Sequence, residues 1–195
     1  MSPNSSNILM QVYCLTKYIS RYQLSYILDR WIMKNLFKVA KEIEKEKKSK
    51  TNSGEMLAEY VGMLQGLTVV HQTAHWTAKG DNYYGEHLLF DRLYENVEED
   101  LDVAAEKLIG VFGSKFMDPK KHAEYTKTFV DECDTKDLTE RSLEAEIAFL
   151  SFSEEVYDKI KESGDMTLGL DDMIMGIASR HEENVYLLKQ QGAKS

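Results

Sequence analysis

The chain has 195 residues, long enough for one domain with a sizeable core, and its 43% hydrophobic against 29% charged residues excludes a disordered chain. No run approaches the ~18 uncharged apolar residues that cross a bilayer. No leader heads the chain, and the apolar stretch 8–15 is soon broken by Lys17 and Arg21, so a cytoplasmic protein without a membrane partner is expected. Cys14 and Cys133 stand far apart with no CxxC spacing, which excludes a disulfide framework and a cysteine-type zinc site. The net charge of -9 hides an asymmetry. Residues 1–50 carry ten Lys/Arg against four Asp/Glu, a balance of +6, while residues 51–195 carry 14 against 29, a balance of -15.

Strand-like alternation is scarce, helical spacing recurs, and the only prolines are Pro3 and Pro119. An all-α protein is expected. Residues 1–50 form a basic, partly helical extension, in which Ile27, Trp31, Leu36, Val39 and Ile43 suggest an amphipathic helix running into the charged stretch 41–50. The domain proper is 51–195. Its first helix is predicted from about 54 to 78, opened by Asn52 and Glu55 as a capping box, with Met56, Tyr60, Met63, Leu64, Leu67, Val70 and Ala74 inward. A second runs from about 83 to 109 with Leu89, Leu93, Val97, Leu101, Ala105 and Leu108 inward, stopping at Gly110. Residues 111–136 are a long connection holding a short helix at about 119–130. The third helix opens on Asp137 and Glu140, buries Leu143, Ile147, Leu150, Tyr157 and Ile160, and ends at Gly164. The fourth spans about 168–190, with Leu170, Ile174, Ile177, His181, Val185 and Leu188 inward. Four long helices with one long middle link describe a ferritin-like four-helix bundle with a crossover connection.

None of the five histidines (His71, His75, His87, His122, His181) has a Glu three residues before it. The Glu-x-x-His element of an ordinary di-iron bundle is therefore missing. Instead, His87, Asp91, Glu95, Glu98, Asp102 and Glu106 recur every three or four residues along the second helix and share one face. An acidic stripe alone is usually a solvated face. This one follows directly on His75-Trp76-Thr77-Ala78-Lys79-Gly80.

That combination resembles the Dps family, the DNA-binding miniferritins of starved bacteria and archaea. The family pattern is His-Trp-Asn-x-x-Gly, a second His twelve residues after the first, then Asp and Glu one turn apart. His75, His87, Asp102 and Glu106 match in type and spacing, and Thr77 departs from the usual Asn. The resemblance covers about 53–192 and is sharpest over 71–110. It implies a twelve-subunit shell, a homo-oligomer that oxidises Fe(II) with hydrogen peroxide or oxygen at ferroxidase centres between subunits and stores Fe(III) mineral. Geometry adds a constraint of its own. His87 and Asp102 are 15 residues apart on one helix, ~22 Å at 1.5 Å per residue, so they meet at one centre only if two chains build it. Imidazole and carboxylate ligands suit iron, with zinc as a competitor.

Asp91, one turn beyond His87, is expected to support that imidazole. Packing is the expected role of Trp76, a buried hydrogen-bonded role that of His71, a core position that of His181 and an exposed one that of His122. The resemblance implies acidic iron pores near the loop between the last two helices, where Asp165, Asp171 and Asp172 are candidates. The basic extension makes DNA a candidate partner, and DNA binding would make the protein nucleoid-associated. Two rivals stand beside the ferroxidase: a DNA-compacting structural protein with an incidental metal site, and a zinc or manganese cage without turnover.

Overall fold

The computed structural model describes residues 21–192 of the chain. The apolar stretch 8–15 and Cys14 lie outside the described residues, as does the side chain of Ile27. Five α-helices follow in order: α1 Arg21–Thr77, α2 Tyr83–Phe112, α3 Pro119–Glu132, α4 Leu138–Ser163 and α5 Leu168–Gly192, with a 3₁₀ turn at Ser114–Phe116. No strand occurs among the described residues.

The chain divides into two compact units, Met1–Lys47 and Lys48–Ser195. In the first, the described part of α1 carries Trp31, Met33, Leu36, Phe37, Val39 and Ile43, all exposed. Lys34, Lys38, Lys41 and Lys45 recur at spacings of four, three and four, which puts them in one stripe of the helix.

The second unit is the ferritin-like four-helix bundle. Its first helix is α1 from Lys48 onward, and no cap interrupts it at Asn52. The Lys/Glu-rich stretch before it has good helix propensity and lacks Gly and Pro, so the helix runs through the capping signal. Ser49 and Ser53 instead give their hydroxyls to Asp165 Oδ2, at 3.1 and 2.7 Å. That residue, a pore candidate by sequence, is thus engaged by a serine clasp at the α4–α5 turn. Cross-helix bonds give the directions. Ser53 lies by Ser163 and His71 by Glu146, so α1 and α4 are antiparallel. Arg92 meets Glu183 and Asp100 meets Arg180, so α2 and α5 are antiparallel as well. Short links after α1 and α4 complete the up-down, down-up arrangement.

The crossover climbs the outside of α1 because glycines let it approach. A Cβ on Gly62 would sit 2.4 Å from Tyr125 Cβ, and one on Gly66 2.5 Å from Phe129 Cδ1. Thr126 Oγ1 reaches the Gly62 carbonyl at 3.2 Å. Asp118 caps α3 by accepting from the Lys120 and Lys121 amides, with Pro119 in the first turn. The core joins Tyr60, Leu64, Leu67, Val97, Leu108, Phe129, Phe149, Ile160, Leu170 and Ile177.

Three boundary or burial expectations change. Helix α2 passes Gly110 and ends at Gly113, whose φ of 97° lies in the region that favours glycine. The three added residues let Phe112 pack edge-on to Phe116, centroids 6.4 Å apart. Ile147 faces outward, 48% exposed, while the inward positions of α4 are Ala145, Glu146, Phe149, Ser153 and Val156. His122 is half-buried rather than exposed, and burial lowers its pKa. Cys133 is a buried free thiol whose pKa burial pushes up to about 11, so it stays protonated and inert.

Candidate metal centre

The turn between α1 and α2 is closed by the Ala78 amide on the Ala74 carbonyl and the Tyr83 amide on the Gly80 carbonyl. Gly80 takes φ +93°, which a side chain would strain. This tight reversal brings the two histidines, twelve residues apart, face to face. Their rings stack with centroids 3.9 Å apart and planes 21° from parallel.

Each ring also bonds the other's backbone. His75 Nδ1 lies 2.9 Å from the His87 carbonyl oxygen, and His87 Nδ1 lies 3.1 Å from that of His75. A carbonyl only accepts, so Nδ1 carries the proton in both rings. Nε2 is then the lone-pair nitrogen in both, the tautomer a metal ligand requires. Tyr83 stacks on the far side of His87, at 5.0 Å and 26°, and Tyr94 meets His75 edge-on at 5.5 Å.

Asp91 stands beside His75, not His87 as expected: its Oδ1 is 3.7 Å from His75 Nδ1. The His87 ring is turned toward the end of α1, so the helical neighbour one turn along supports the other imidazole. Asp102 and Glu106 lie further along α2 and are exposed, as are Glu95 and Glu98. The structure therefore brings His75, His87 and Asp91 together, while along α2 Asp102 lies ~22 Å and Glu106 ~28 Å from His87. Among the described residues, no three His, Cys, Asp or Glu side chains of one chain converge as an ion would need. Trp76 is 67% exposed, which corrects the expectation that it packs, and Tyr84 and Leu88 beside it are 73% and 47% exposed. Trp76, next to His75 in the chain, and Tyr84 and Leu88, on either side of His87 in the chain, are thus left uncovered by their own chain.

A second polar cluster, in the bundle interior, takes one acid or imidazole from each long helix. His71, Glu146 and His181 are wholly buried and Asp100 is 2% exposed. Glu146 Oε1 accepts from His71 Nε2 at 2.9 Å and from Asn184 Nδ2 at 3.0 Å, and Oε2 accepts from His181 Nδ1. His181 Nε2 is 3.5 Å from Asp100 Oδ2, a charge contact, and Asp100 also pairs with Arg180. Burial opposes the charge on Glu146, yet His181 and the bonds from both histidines hold its carboxyl well below the usual range. Burial likewise opposes the charge on His181, but Glu146 and Asp100 push its pKa up to about 9. Arg180, Asp100, His181 and Glu146 then sum to zero charge, the condition for burying ions at all. Sequence reasoning placed His71 and His181 in the core and missed Glu146. The available signal was its phase with Phe149 and Ser153, three and seven residues on.

No family model matches the chain. The DNA protection during starvation protein of Listeria innocua is 28% identical over 142 residues, 69% of this chain and 88% of the relative. DpsC from Streptomyces coelicolor superposes with a TM-score of 0.66 at 22% identity, covering 76% of this chain and 87% of the other. Dps from Microbacterium arborescens, in its high-iron form, superposes with a TM-score of 0.57 at 20% identity over 75% of this chain and 95% of that one.

Proposed function

We propose that this chain, which resembles the Dps proteins in sequence and in fold, is a ferroxidase miniferritin whose centres are each built by two copies. The observation that supports this reading is the tautomer-fixed pair His75 and His87, next in the chain to the exposed Trp76, Tyr84 and Leu88, with Asp102 and Glu106 exposed further along the helix of His87 and far out of reach. A two-fold axis that brings Asp102 and Glu106 of one copy to the histidines of another makes two equivalent centres at once. The stacked rings add a detail. An ion bound in the plane of one imidazole cannot also lie in the plane of a ring 3.9 Å away and only 21° tilted. Each ring therefore serves its own ferrous ion, and the carboxylates of the second copy lie between the two.

Ferrous iron is the substrate. One hydrogen peroxide takes one electron from each of two Fe(II) ions and two protons, giving two Fe(III) and two waters; oxygen is the other candidate oxidant. His75 and His87 bind without adding charge, so two positive ions are not over-neutralised before oxidation. Asp102 and Glu106 supply negative charge that binds the trivalent product more strongly than the divalent substrate. Asp91, 3.7 Å from His75 Nδ1, adds a favourable charge beside the proton that Nδ1 gives to the His87 carbonyl. Zinc, which favours the same ligands, is the expected inhibitor. The product is then stored as mineral within a closed shell, a dodecamer in this reading.

Native mass spectrometry and anaerobic Fe(II) loading followed by a peroxide pulse test this on the full-length protein. The reading expects a closed multimer and two irons oxidised per peroxide. A stable monomer, or oxidation no faster than in buffer, contradicts it.

The Lys34, Lys38, Lys41, Lys45 stripe supports DNA binding as a second activity, since four exposed cations on one line suit a phosphate backbone. The Listeria relative's name points the same way. Changing all four lysines to glutamine is expected to lower duplex affinity and to flatten its salt dependence by roughly three to four phosphate contacts. Retardation unaffected by these changes would remove the stripe from consideration.

A further inference from the structure

The histidine pair is the middle of a longer column of rings. Tyr83 stacks on His87, His87 on His75, and Tyr94 closes the far end edge-on, at centroid separations of 5.0, 3.9 and 5.5 Å. Tyr83 lies one turn before His87 on α2, so helix geometry alone lays its ring against the imidazole. Tyr94, on the same helix, reaches across to the imidazole carried by α1. The two tyrosines therefore bracket a pair contributed by two different helices.

We propose that Tyr83 and Tyr94 are positioning residues for this centre: they clamp the two imidazoles in register, so that both Nε2 atoms are held for ligation before any ion arrives. This rests on the two-chain ferroxidase reading above. The Nδ1–carbonyl bonds alone fix which nitrogen carries the proton, but each leaves the ring free to swing about that bond. Stacked and edge-on faces remove the swing, because a rotated ring loses its contact with the tyrosine. The Tyr94 hydroxyl also bonds Asp91, but the clamp itself uses only the aromatic faces. A phenylalanine at either position should serve as well, and an alanine should not.

The test uses assembled, full-length protein with Co(II) as a spectroscopic probe, whose visible bands report imidazole ligation and coordination geometry. Tyr83→Ala and Tyr94→Ala are expected to weaken Co(II) binding about tenfold each, the usual cost of losing a residue that orients a metal ligand. Their altered bands should show a disordered site, with particle mass and thermal midpoint unchanged. Tyr83→Phe and Tyr94→Phe should restore both affinity and spectrum. If the alanine variants bind as the parent does, or if the phenylalanine variants fail alongside them, the clamp is wrong while the centre stands. If the parent itself shows no Co(II) bands that disappear in His75→Ala and His87→Ala, the centre is wrong, and the clamp falls with it.

Discussion

Replacing Asp102 by asparagine and Glu106 by glutamine should slow protein-dependent Fe(II) oxidation by roughly 100-fold or more, since even residues that only support a ligand cost 10–100-fold. Stopped-flow absorbance of ferric product measures this. Both side chains are exposed in the single chain, so the amides should leave the thermal midpoint of the fold where it was. His87→Ala should produce the same loss of rate. A double variant lacking both His87 and Asp102 should be little worse than either single one, because both serve one centre. Activity surviving the Asp102 and Glu106 changes would place the chemistry at the histidine end alone.

The second large effect is on stability. Glu146→Gln leaves the wholly buried His181 with only its longer 3.5 Å contact to Asp100, which Arg180 shares, and a buried pair broken on one side typically costs about 3–5 kcal/mol. Urea or thermal unfolding of the full-length protein should show it. The same network sets a pH dependence. His181 has its pKa raised from 6.5 to about 9, so its contribution is complete below pH 6.5 and is lost as the pH rises through about 9. Glu146 is lowered from 4.5 to about 2, so its contribution is complete above pH 4.5 and is lost as the pH falls through about 2. The thermal midpoint should therefore be flat between about pH 4.5 and 6.5 and fall on either side. Glu146→Gln should remove most of the alkaline fall. A parent curve that keeps rising from pH 6.5 to 9 would contradict the assigned charges.

What the sequence discloses follows from which signals are local. The α4 cap shows because Asp137 needs only the amide of Glu140, three residues on, and its stop shows because Gly164 adopts the left-handed conformation a helix end requires. The His75–His87 pairing is legible because a five-residue turn closes it. Asn52 misleads for the opposite reason. It carries a valid capping signal, but the strongly helical residues before it override a local preference. The phase of α4 is ambiguous by one position, since Leu143, Ile147 and Leu150 outline an apolar face beside that of Ala145, Phe149, Val156 and Ile160. Only packing against the other helices selects the second and draws Glu146 inside. Asp91 is placed one imidazole away from expectation because helical spacing gives neighbours without giving ring orientation. Trp76 is exposed because it stands in the last turn of α1, where no other described part of the chain covers it.

In the proposed centre, the histidines come from one chain and the carboxylates from another. Mixing two inactive variants tests it: His87→Ala and Asp102→Ala chains are unfolded together, refolded and reassembled. In a mixed two-fold pair, one centre loses both contributions and the other has all four side chains intact. Random mixing should therefore restore about a quarter of the parent's oxidation capacity, while each variant alone stays inactive. No recovery in particles shown by mass to contain both chains would contradict the two-chain centre.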